Sequence, residues 1–158
     1  MFLYEYKMER GIAMDSRGES YFEDIKGKKI AFLGIGGSNF PLAKIFRQKG
    51  AIVFACDKRE KEQLGKTGEE LEQMGITLKL GEHYLEQLDV DMMFRTPGMR
   101  FHTKELEQAR EKGIVVTSEM EVFFDLCPCP IYAVTGSDGK TTTTTIISEF
   151  LKAAGKRI

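Results

Sequence analysis

From Lys28 onward, short apolar runs alternate with segments in which apolar residues recur every three or four positions. The runs carry few charges and most end in Gly, Asp or Arg, which is typical of strands buried on both faces of a parallel sheet. They are KKIAFLG (28–34), AIVFACD (51–57), ITLKLG (76–81), DMMFR (91–95), IVVT (114–117) and IYAVTG (131–136). The pattern therefore predicts six strands.

The intervening segments carry helix signals. Thr67 with Glu70, and Ser118 with Glu121, have the spacing of capping boxes, in which a hydroxyl and a carboxylate each bind an unpaired amide. Thr103 is a candidate N-cap. Gly residues follow several of these segments, as expected for helix ends. The predicted helices cover residues 38–50, 67–75, 103–113, 118–124 and 140–154.

Repeated strand–helix alternation with short connections predicts right-handed crossovers and a Rossmann-like, doubly wound parallel α/β sheet. CPCP (127–130) interrupts the pattern and is the best candidate for a domain border. We expect a leader of uncertain order at 1–27, in which MFLYEY could add an edge element, and a substrate-binding domain at 28–127. Residues 128–158 would begin a second α/β domain. One strand and one helix cannot bury a core, so this second domain looks incomplete and the chain looks like a fragment.

Composition narrows the partners. The chain has 158 residues, 42% of them hydrophobic, and a formal net charge of −1, which gives no electrostatic case for nucleic acid or an anionic membrane. No apolar run reaches the ~18 residues of a membrane span, and the N-terminus lacks the zones of a signal peptide. We expect a cytoplasmic monomer. The cysteines Cys56, Cys127 and Cys129 form neither a disulfide framework nor a zinc site by count and spacing, and are interpreted as packing or surface residues.

The segment TGSDGKT (135–141) is a candidate phosphate-binding loop between a strand and a helix. Glycines allow successive amides to point at one anion, and the helix that follows adds its unpaired N–H groups. Lys140 would place a charge at the β- and γ-phosphates, and Thr141 would offer a hydroxyl to Mg²⁺. The usual pattern is not met, because Val134 stands where its first glycine belongs. A plain glycine turn at a helix start remains the alternative.

A second glycine-rich turn, GIGGSN (34–39), follows the first strand, where dinucleotide folds bind pyrophosphate. The third glycine of that fingerprint is replaced by Asn39. Asp57 ends the next strand about twenty residues later, where an acidic side chain can bind a ribose or a base. A purely structural turn and an NAD site are the alternatives.

Together these motifs resemble the Mur ligase family of peptidoglycan synthesis. The resemblance rests on GIGGSNFPL (34–42), RTPGM (95–99), GIVVTSEMEVFF (113–124) and TGSDGKTTT (135–143), in this order, and runs from about Lys28 to the C-terminus. Within the family, the GIGG turn also resembles that of the members that add L-alanine, but the TPGM segment and the Ser-Asp pair of the loop favour the members that add D-glutamate.

The resemblance implies an ATP-dependent ligase that joins D-glutamate to UDP-N-acetylmuramoyl-L-alanine through an acyl phosphate, with ATP and Mg²⁺. Lys140 and Thr141 would be catalytic, and Thr141 would also bind the metal. The implied ATP-binding residues are Gly136, Ser137, Asp138, Gly139, Lys140, Thr141 and Thr142. The implied UDP-substrate residues are Gly36, Gly37, Ser38, Asn39, Asp57, Lys58, Arg59, Thr96, Pro97 and Gly98.

Some features limit these expectations. Asp138 would place a carboxylate beside phosphate, where the family usually has Asn or His. The family's later acidic Mg²⁺ ligand, its modified lysine and its C-terminal domain would lie beyond Ile158, so we expect no ligation by this chain alone. A nucleotide-binding module with a non-catalytic role is the competing hypothesis, and an NAD-dependent oxidoreductase, in which the Lys140 loop has no role, is a third.

Overall fold

The computed structural model describes residues 16–158, and the edge element suggested for MFLYEY lies outside them. The chain divides into two compact units, the first ending at Leu126 and the second spanning Cys127–Ile158. The first unit contains α1 (Ser16–Asp24), β1 (Lys29–Leu33), α2 (Asn39–Gln48), β2 (Ile52–Asp57), α3 (Lys61–Leu64), α4 (Lys66–Gln73), β3 (Thr77–Leu80), β4 (Met92–Arg95), α5 (Lys104–Glu111), β5 (Val115–Thr117) and α6 (Glu119–Leu126). The second contains α7 (Lys140–Ala153).

The first unit is built on a five-stranded parallel sheet with the order β3-β2-β1-β4-β5. These are the first five predicted strands, and the α/β fold class is confirmed. The chain runs outward from β1 to β3 and then crosses to β4 on the other side of β1. The point where the strand order reverses lies between β1 and β4, which is where open parallel sheets bind ligands.

Both faces of the sheet are covered, as the apolar runs indicate. One face packs against α2 and α4, and its centre is an aromatic cluster in which the rings of Phe32, Phe46 and Phe94 lie 4.9–5.4 Å apart. On the opposite face, Leu106 and Ala109 of α5 pack among the buried residues of β1, β2 and β4. The turns at the carboxyl ends of the strands are therefore supported by a sheet that is packed on both faces.

The helix signals have mixed outcomes. Thr103 caps α5 as predicted, since its hydroxyl accepts the Leu106 amide at 3.4 Å. The prediction of a capping box at Thr67 is wrong, because Thr67 lies inside the first turn of α4. A capping box forms instead between Glu60 and Gln63, at the start of α3, a helix that was not predicted. Half of the second box forms, with Ser118 Oγ accepting the Glu121 amide at 3.3 Å.

In the second unit the predicted last helix is present as α7, but the strand predicted at 131–136 is not. A strand needs a neighbour to pair its backbone groups, and residues 127–158 contain no other extended segment in which one could form. Across residues 16–158, no helix combines the length and apolar character that crossing a bilayer requires.

Candidate ligand-binding cleft

The turns that follow β1, β2 and β4 surround an open cleft of about 440 Å³ at the carboxyl edge of the sheet. Six of the ten residues predicted for the UDP substrate line it, and Ser38, Asn39, Gly37 and Pro97 do not. The lining residues are Gly34, Ile35, Gly36, Asp57, Lys58, Arg59, Tyr84, Thr96, Gly98 and Met99. Segments far apart in the sequence thus meet at the point where the strand order reverses.

Gly34 sets the path of the first turn. Its φ is +84°, and a Cβ at this position would lie 3.0 Å from Thr96 Cγ2. Its amide donates to the Cys56 carbonyl at 2.7 Å. A side chain here would be strained by the backbone angle and would collide with the turn after β4. Gly34 therefore allows the two turns to approach each other closely.

Asp57 and Arg59 hold this turn to the end of β2. Asp57 Oδ2 accepts the Ile35 amide at 2.7 Å and Arg59 Nη2 at 2.8 Å, while Oδ1 accepts the Arg59 amide and Nε, each at 2.9 Å. Arg59 Nη2 also donates to the Ile35 carbonyl at 2.6 Å. The carboxylate is thus fully occupied within the protein. The structure gives Asp57 a positioning role at the cleft, where the sequence suggested direct contact with a ribose or base.

The charge state of this pair follows from its contacts. Burial raises the pKa of the Asp57 carboxyl, but the hydrogen bonds from the Arg59 side chain and amide and from the Ile35 amide outweigh burial, so the pKa is lowered. The hydrogen bond to Asp57 raises the pKa of Arg59. Asp57 is therefore ionised and Arg59 protonated at neutral pH, and one edge of the cleft carries a fixed ion pair beside Lys58.

The next backbone groups of the turn face open space. Among residues 16–158, no hydrogen bond uses the amides of Gly36, Gly37 or Ser38 as donor. A Cβ added at Gly36 or Gly37 would meet no atom within 4 Å. Unpaired amides at the N-terminus of a helix are the groups with which helix starts bind anions. The three amides of this turn, next to the N-terminus of α2, have no acceptor among residues 16–158.

Asn39 has a different environment from the one predicted. It is 1% exposed, and its Nδ2 lies within hydrogen-bond distance of the carbonyls of Leu33, Gly34 and Phe94, at 3.1, 3.0 and 3.4 Å. The amide group connects the ends of β1 and β4 and stabilises their turns. Ser38 stands at the N-cap of α2 but makes no capping hydrogen bond with its side chain.

On the β4 side, Thr96 and Gly98 line the cleft, and the Met99 amide closes the turn on the Thr96 carbonyl at 3.0 Å. The preceding Arg95 lies 3.7 Å from a Glu121 carboxylate oxygen and 5.3 Å from the ring of Phe101. The Glu121 carboxylate also accepts the Thr117 hydroxyl at 3.3 Å, and no bond to the Ser118 amide completes the predicted capping box among residues 16–158. His83 and His102 are exposed and paired with Glu86 and Glu107.

Tyr84, Ile35 and Met99 line the cleft and were not selected from the sequence. Tyr84 follows β3, whose carboxyl end reaches the same edge of the sheet, and this position after a predicted strand is the signal that could have identified it. Burial, followed by the Asp57 charge, raises the pKa of Tyr84. Its phenol is therefore neutral near pH 7 and available as a hydrogen-bond donor.

The Lys140 loop lies in the second unit. Gly139 precedes α7 with φ +74°, and Gly136 has φ +148°, so both glycines occupy conformations that side chains disfavour. Lys140 Nζ donates to the Gly136 carbonyl at 2.5 Å and to the Ser137 carbonyl at 3.0 Å. The hydroxyls of Thr144 and Thr145 donate back to the carbonyls of Lys140 and Thr141, each at 2.9 Å. The ammonium group is thus hydrogen-bonded to the backbone of its own loop.

Residues 16–158 contain no cluster of three or more His, Cys, Asp or Glu side chains that could hold a metal ion. The predicted Mg²⁺ contact is the single hydroxyl of Thr141, and it stays a prediction. Mg²⁺ bound to nucleotides commonly has one or two protein ligands, with phosphates and water in the other positions. A hydroxyl in the first turn of α7 suits that arrangement only together with a bound nucleotide.

The fold and the cleft define a Rossmann-like α/β domain with an exposed glycine turn at its switch point, followed by a glycine loop that opens a helix. The chain is 48% identical over 145 residues to UDP-N-acetylmuramoylalanine–D-glutamate ligase of Clostridium botulinum, covering 91% of this chain and 32% of the relative. It is 50% identical over 143 residues to the enzyme of the same name from Acetivibrio thermocellus, covering 90% and 31%. The chain thus spans about a third of the length of these relatives.

Solved structures agree. The UDP-N-acetylmuramate–alanine ligase MurC of Thermotoga maritima matches with a TM-score of 0.51 at 30% identity, over 79% of this chain and 29% of that one. The murein peptide ligase of Psychrobacter arcticus matches with a TM-score of 0.52 at 29% identity, over 82% and 27%. No protein-family model matches the sequence. The predicted resemblance is confirmed: over nine tenths of its length the chain is related to the Mur ligases.

Proposed function

We propose that this chain is the N-terminal part of an ATP-dependent ligase that adds D-glutamate to UDP-N-acetylmuramoyl-L-alanine. Residues 28–127 would bind the UDP part of the substrate, and residues 128–158 would begin the ATP-binding domain. The observation that carries the proposal is the convergence of Gly36, Asp57–Arg59, Thr96 and Gly98 on one cleft, beside amides that have no acceptor in the part of the chain that the structure describes. The names of the relatives support the choice of D-glutamate.

In the proposed reaction the substrate carboxylate attacks the γ-phosphate of ATP and becomes an acyl phosphate, and ADP leaves. The amine of D-glutamate then attacks the acyl carbon, and phosphate leaves. Lys140 would stabilise the charge on the transferring phosphoryl group, and the amides of residues 136–142 would hold the ATP phosphates. Thr141 would hold Mg²⁺, which in phosphoryl transfer neutralises developing charge.

The chain by itself would supply substrate binding and only the first part of the ATP site. We therefore propose that it does not catalyse ligation alone, and that the complete cytoplasmic protein acts in cell-wall synthesis during growth and division. In the Lys140 loop, the ammonium group binds the carbonyls of its own loop and must exchange them for phosphate oxygens. We expect weak or no ATP binding by residues 1–158, and tight binding in calorimetry would contradict this division of roles.

Calorimetric titration of the chain with UDP and with NAD tests the cleft. We expect UDP to bind and NAD to bind more weakly, because the Asp57 carboxylate is occupied by Arg59 and Ile35 and cannot accept the ribose hydroxyls of NAD. Binding of NAD in preference to UDP would instead support an oxidoreductase.

Matched lysine variants locate the binding. Lys58 lines the cleft, whereas Lys66 begins α4 and does not. Lys58→Ala should weaken UDP binding by about 2- to 5-fold, the equivalent of roughly 0.5–1 kcal/mol for a partly exposed charge contact. Lys66→Ala should leave it unchanged. Equal losses in both variants would show only a general electrostatic effect.

UDP binding without ligation would also fit a non-catalytic module. Ligase assay of the whole protein encoded with this segment separates the two hypotheses, since only the ligase forms ADP when D-glutamate and UDP-N-acetylmuramoyl-L-alanine are both supplied.

A further inference from the structure

Two thiols lie side by side in the segment that begins the second unit. Cys127 directly follows the end of α6, and Cys129 is separated from it by Pro128. The two sulfur atoms are 3.5 Å apart, at hydrogen-bond distance for thiols. Cys129 is exposed and Cys127 is partly so, so small reagents can reach the pair. Nothing in the proposed ligase reaction uses these thiols.

Cys56 provides an internal contrast. It lies in β2 with 0% of its surface exposed. Burial raises the pKa of its thiol to about 12. The charge of Lys79 acts in the opposite direction, and the charge of Asp57 adds a smaller increase. Since the thiolate is the reactive form, Cys56 is inert near neutral pH. The chain therefore carries one protected thiol and one accessible pair, which differ in burial and in the presence of a neighbouring sulfur.

The pair is suited to thiol–disulfide exchange more than to a metal. Residues 16–158 offer no third Cys, His, Asp or Glu that would complete a metal-binding group around it. Bond formation needs the sulfurs to close from 3.5 Å to about 2.05 Å, which rotations about the side-chain bonds can achieve over so short a gap. Pro128 restricts the backbone between the two residues and limits the conformations in which the sulfurs separate.

We propose that Cys127 and Cys129 form a redox-active dithiol that closes reversibly to an intrachain disulfide, with a low-molecular-weight disulfide as the oxidant. One thiolate attacks the oxidant, forms a mixed disulfide and releases one small thiol. The second protein thiolate then attacks the protein sulfur of that mixed disulfide and releases the other. The protein dithiol loses two electrons and two protons. The oxidant takes up these electrons and protons and becomes the two released thiols.

Closure changes the segment that begins the second unit. A bond between residues 127 and 129 forms a small ring that includes Pro128, so the backbone directly after α6 loses most of its rotational freedom. Disulfides of reducing compartments are usually transient and used in catalysis or sensing, which fits a pair that opens again when small thiols are abundant. The redox state of the pair would therefore set the stiffness of the connection at residues 127–129.

The test uses the 158-residue chain treated with oxidised glutathione, with reduced glutathione held at about 10 µM. After alkylation, the intact mass distinguishes a closed ring, lighter by two hydrogen atoms, from a glutathione adduct. An effective concentration in the mM range for neighbouring thiols favours the ring over the mixed disulfide by about 100-fold. We expect the wild type to form the ring, with only Cys56 alkylated after denaturation.

Three variants complete the experiment. Cys127→Ser and Cys129→Ser should each accumulate the glutathione adduct, because the resolving thiol is missing, whereas Cys56→Ala should form the ring like the wild type. Stable adducts on the wild type, disulfide-linked dimers, or a bond that includes Cys56 would each overturn the proposal. Far-UV circular dichroism of the variants excludes unfolding as the cause of any difference.

Discussion

The two glycine turns of this chain have contrasting environments. The turn after β1 rests on a five-stranded sheet, with Asp57 and Arg59 binding its backbone from the end of β2. The Lys140 loop follows a segment without strand structure, is exposed throughout, and is bound by its own lysine and by the first turns of α7. The first turn is held by residues distant in sequence, and the second by residues within a few positions of itself.

The comparison shows what a phosphate-binding turn requires beyond its glycines. Amides converge on an anion with little loss of entropy when the surrounding fold already holds them, because preorganisation reduces the cost of ordering. The turn after β1 satisfies this condition within residues 16–126. The Lys140 loop has suitable residue types, but no sheet in residues 127–158 supports it. Four predictions sharpen this contrast, from the largest expected effect to the smallest.

Truncation of a core ring should separate the two regions most strongly. Phe46 is 1% exposed and packs against Phe32 and Phe94, whereas Phe150 of α7 is 71% exposed. Phe46→Ala should lower the free energy of unfolding by about 3–5 kcal/mol, and Phe150→Ala by less than about 0.5 kcal/mol. Urea denaturation followed by circular dichroism measures both. Similar losses in the two variants would mean that the second unit is as well packed as the first.

Removal of one carboxylate from each turn comes next. Asp57→Asn loses the ion pair with Arg59. The new side-chain NH₂ group would also face N–H donors of Ile35 or Arg59, which would then lack an acceptor. The free energy of unfolding should fall by about 2 kcal/mol, a value limited by the partial exposure of Arg59. Asp138→Asn, at an exposed position of the Lys140 loop, should change it by less than about 0.5 kcal/mol. An equally stable Asp57→Asn would show that the carboxylate does not hold the turn.

Two glycines of the same turn should behave differently. Gly34→Ala should cost roughly 1–2 kcal/mol of stability, because φ is +84° and the new Cβ would lie 3.0 Å from Thr96. Gly36→Ala should leave stability within about 0.5 kcal/mol, because the added methyl group meets no protein atom within 4 Å. Gly36→Ala should nevertheless bind UDP more weakly than the wild type, because Gly36 lines the cleft. Thermal unfolding and calorimetry measure the two effects, and unimpaired UDP binding by Gly36→Ala would remove Gly36 from the site.

The pH dependence of stability should give the smallest effect. The pKa of Asp57 is lower in the folded chain than in the unfolded one, so the unfolded chain binds the proton more tightly. The contribution of Asp57 is therefore complete above the unfolded pKa of about 4 and is lost as the pH falls through the lower folded value. Asp57→Asn should flatten this part of the stability curve, which urea denaturation at a series of pH values measures. Loss of the contribution at higher pH would contradict the direction of the shift.

The sheet could be predicted because its strands are short apolar runs, and burial on both faces leaves little choice of structure for them. The strand at 131–136 shows the limit of that reasoning, since an apolar run becomes a strand only where another strand is available to pair with it. Asp57 was found as a site position from its spacing after the first glycine turn, and Asn39 from the family resemblance. Their hydrogen bonds to Ile35 and Phe94 depend on how turns distant in sequence meet, which spacing alone does not contain. Tyr84 follows a predicted strand, and that position was not used to select it.

The position of β1 at the centre of the sheet has a consequence for synthesis of the chain. β1 pairs with β2 soon after it is made, but its other neighbour, β4, comes much later; 62 residues separate Lys29 from Asp91, whose carboxylate accepts the Lys29 amide. At translation rates of roughly 5–20 residues per second, about 3–12 s pass before that side of β1 can be covered. During this interval the nascent chain exposes an unpaired apolar strand edge, which is a surface that chaperones recognise and that favours aggregation when they are scarce.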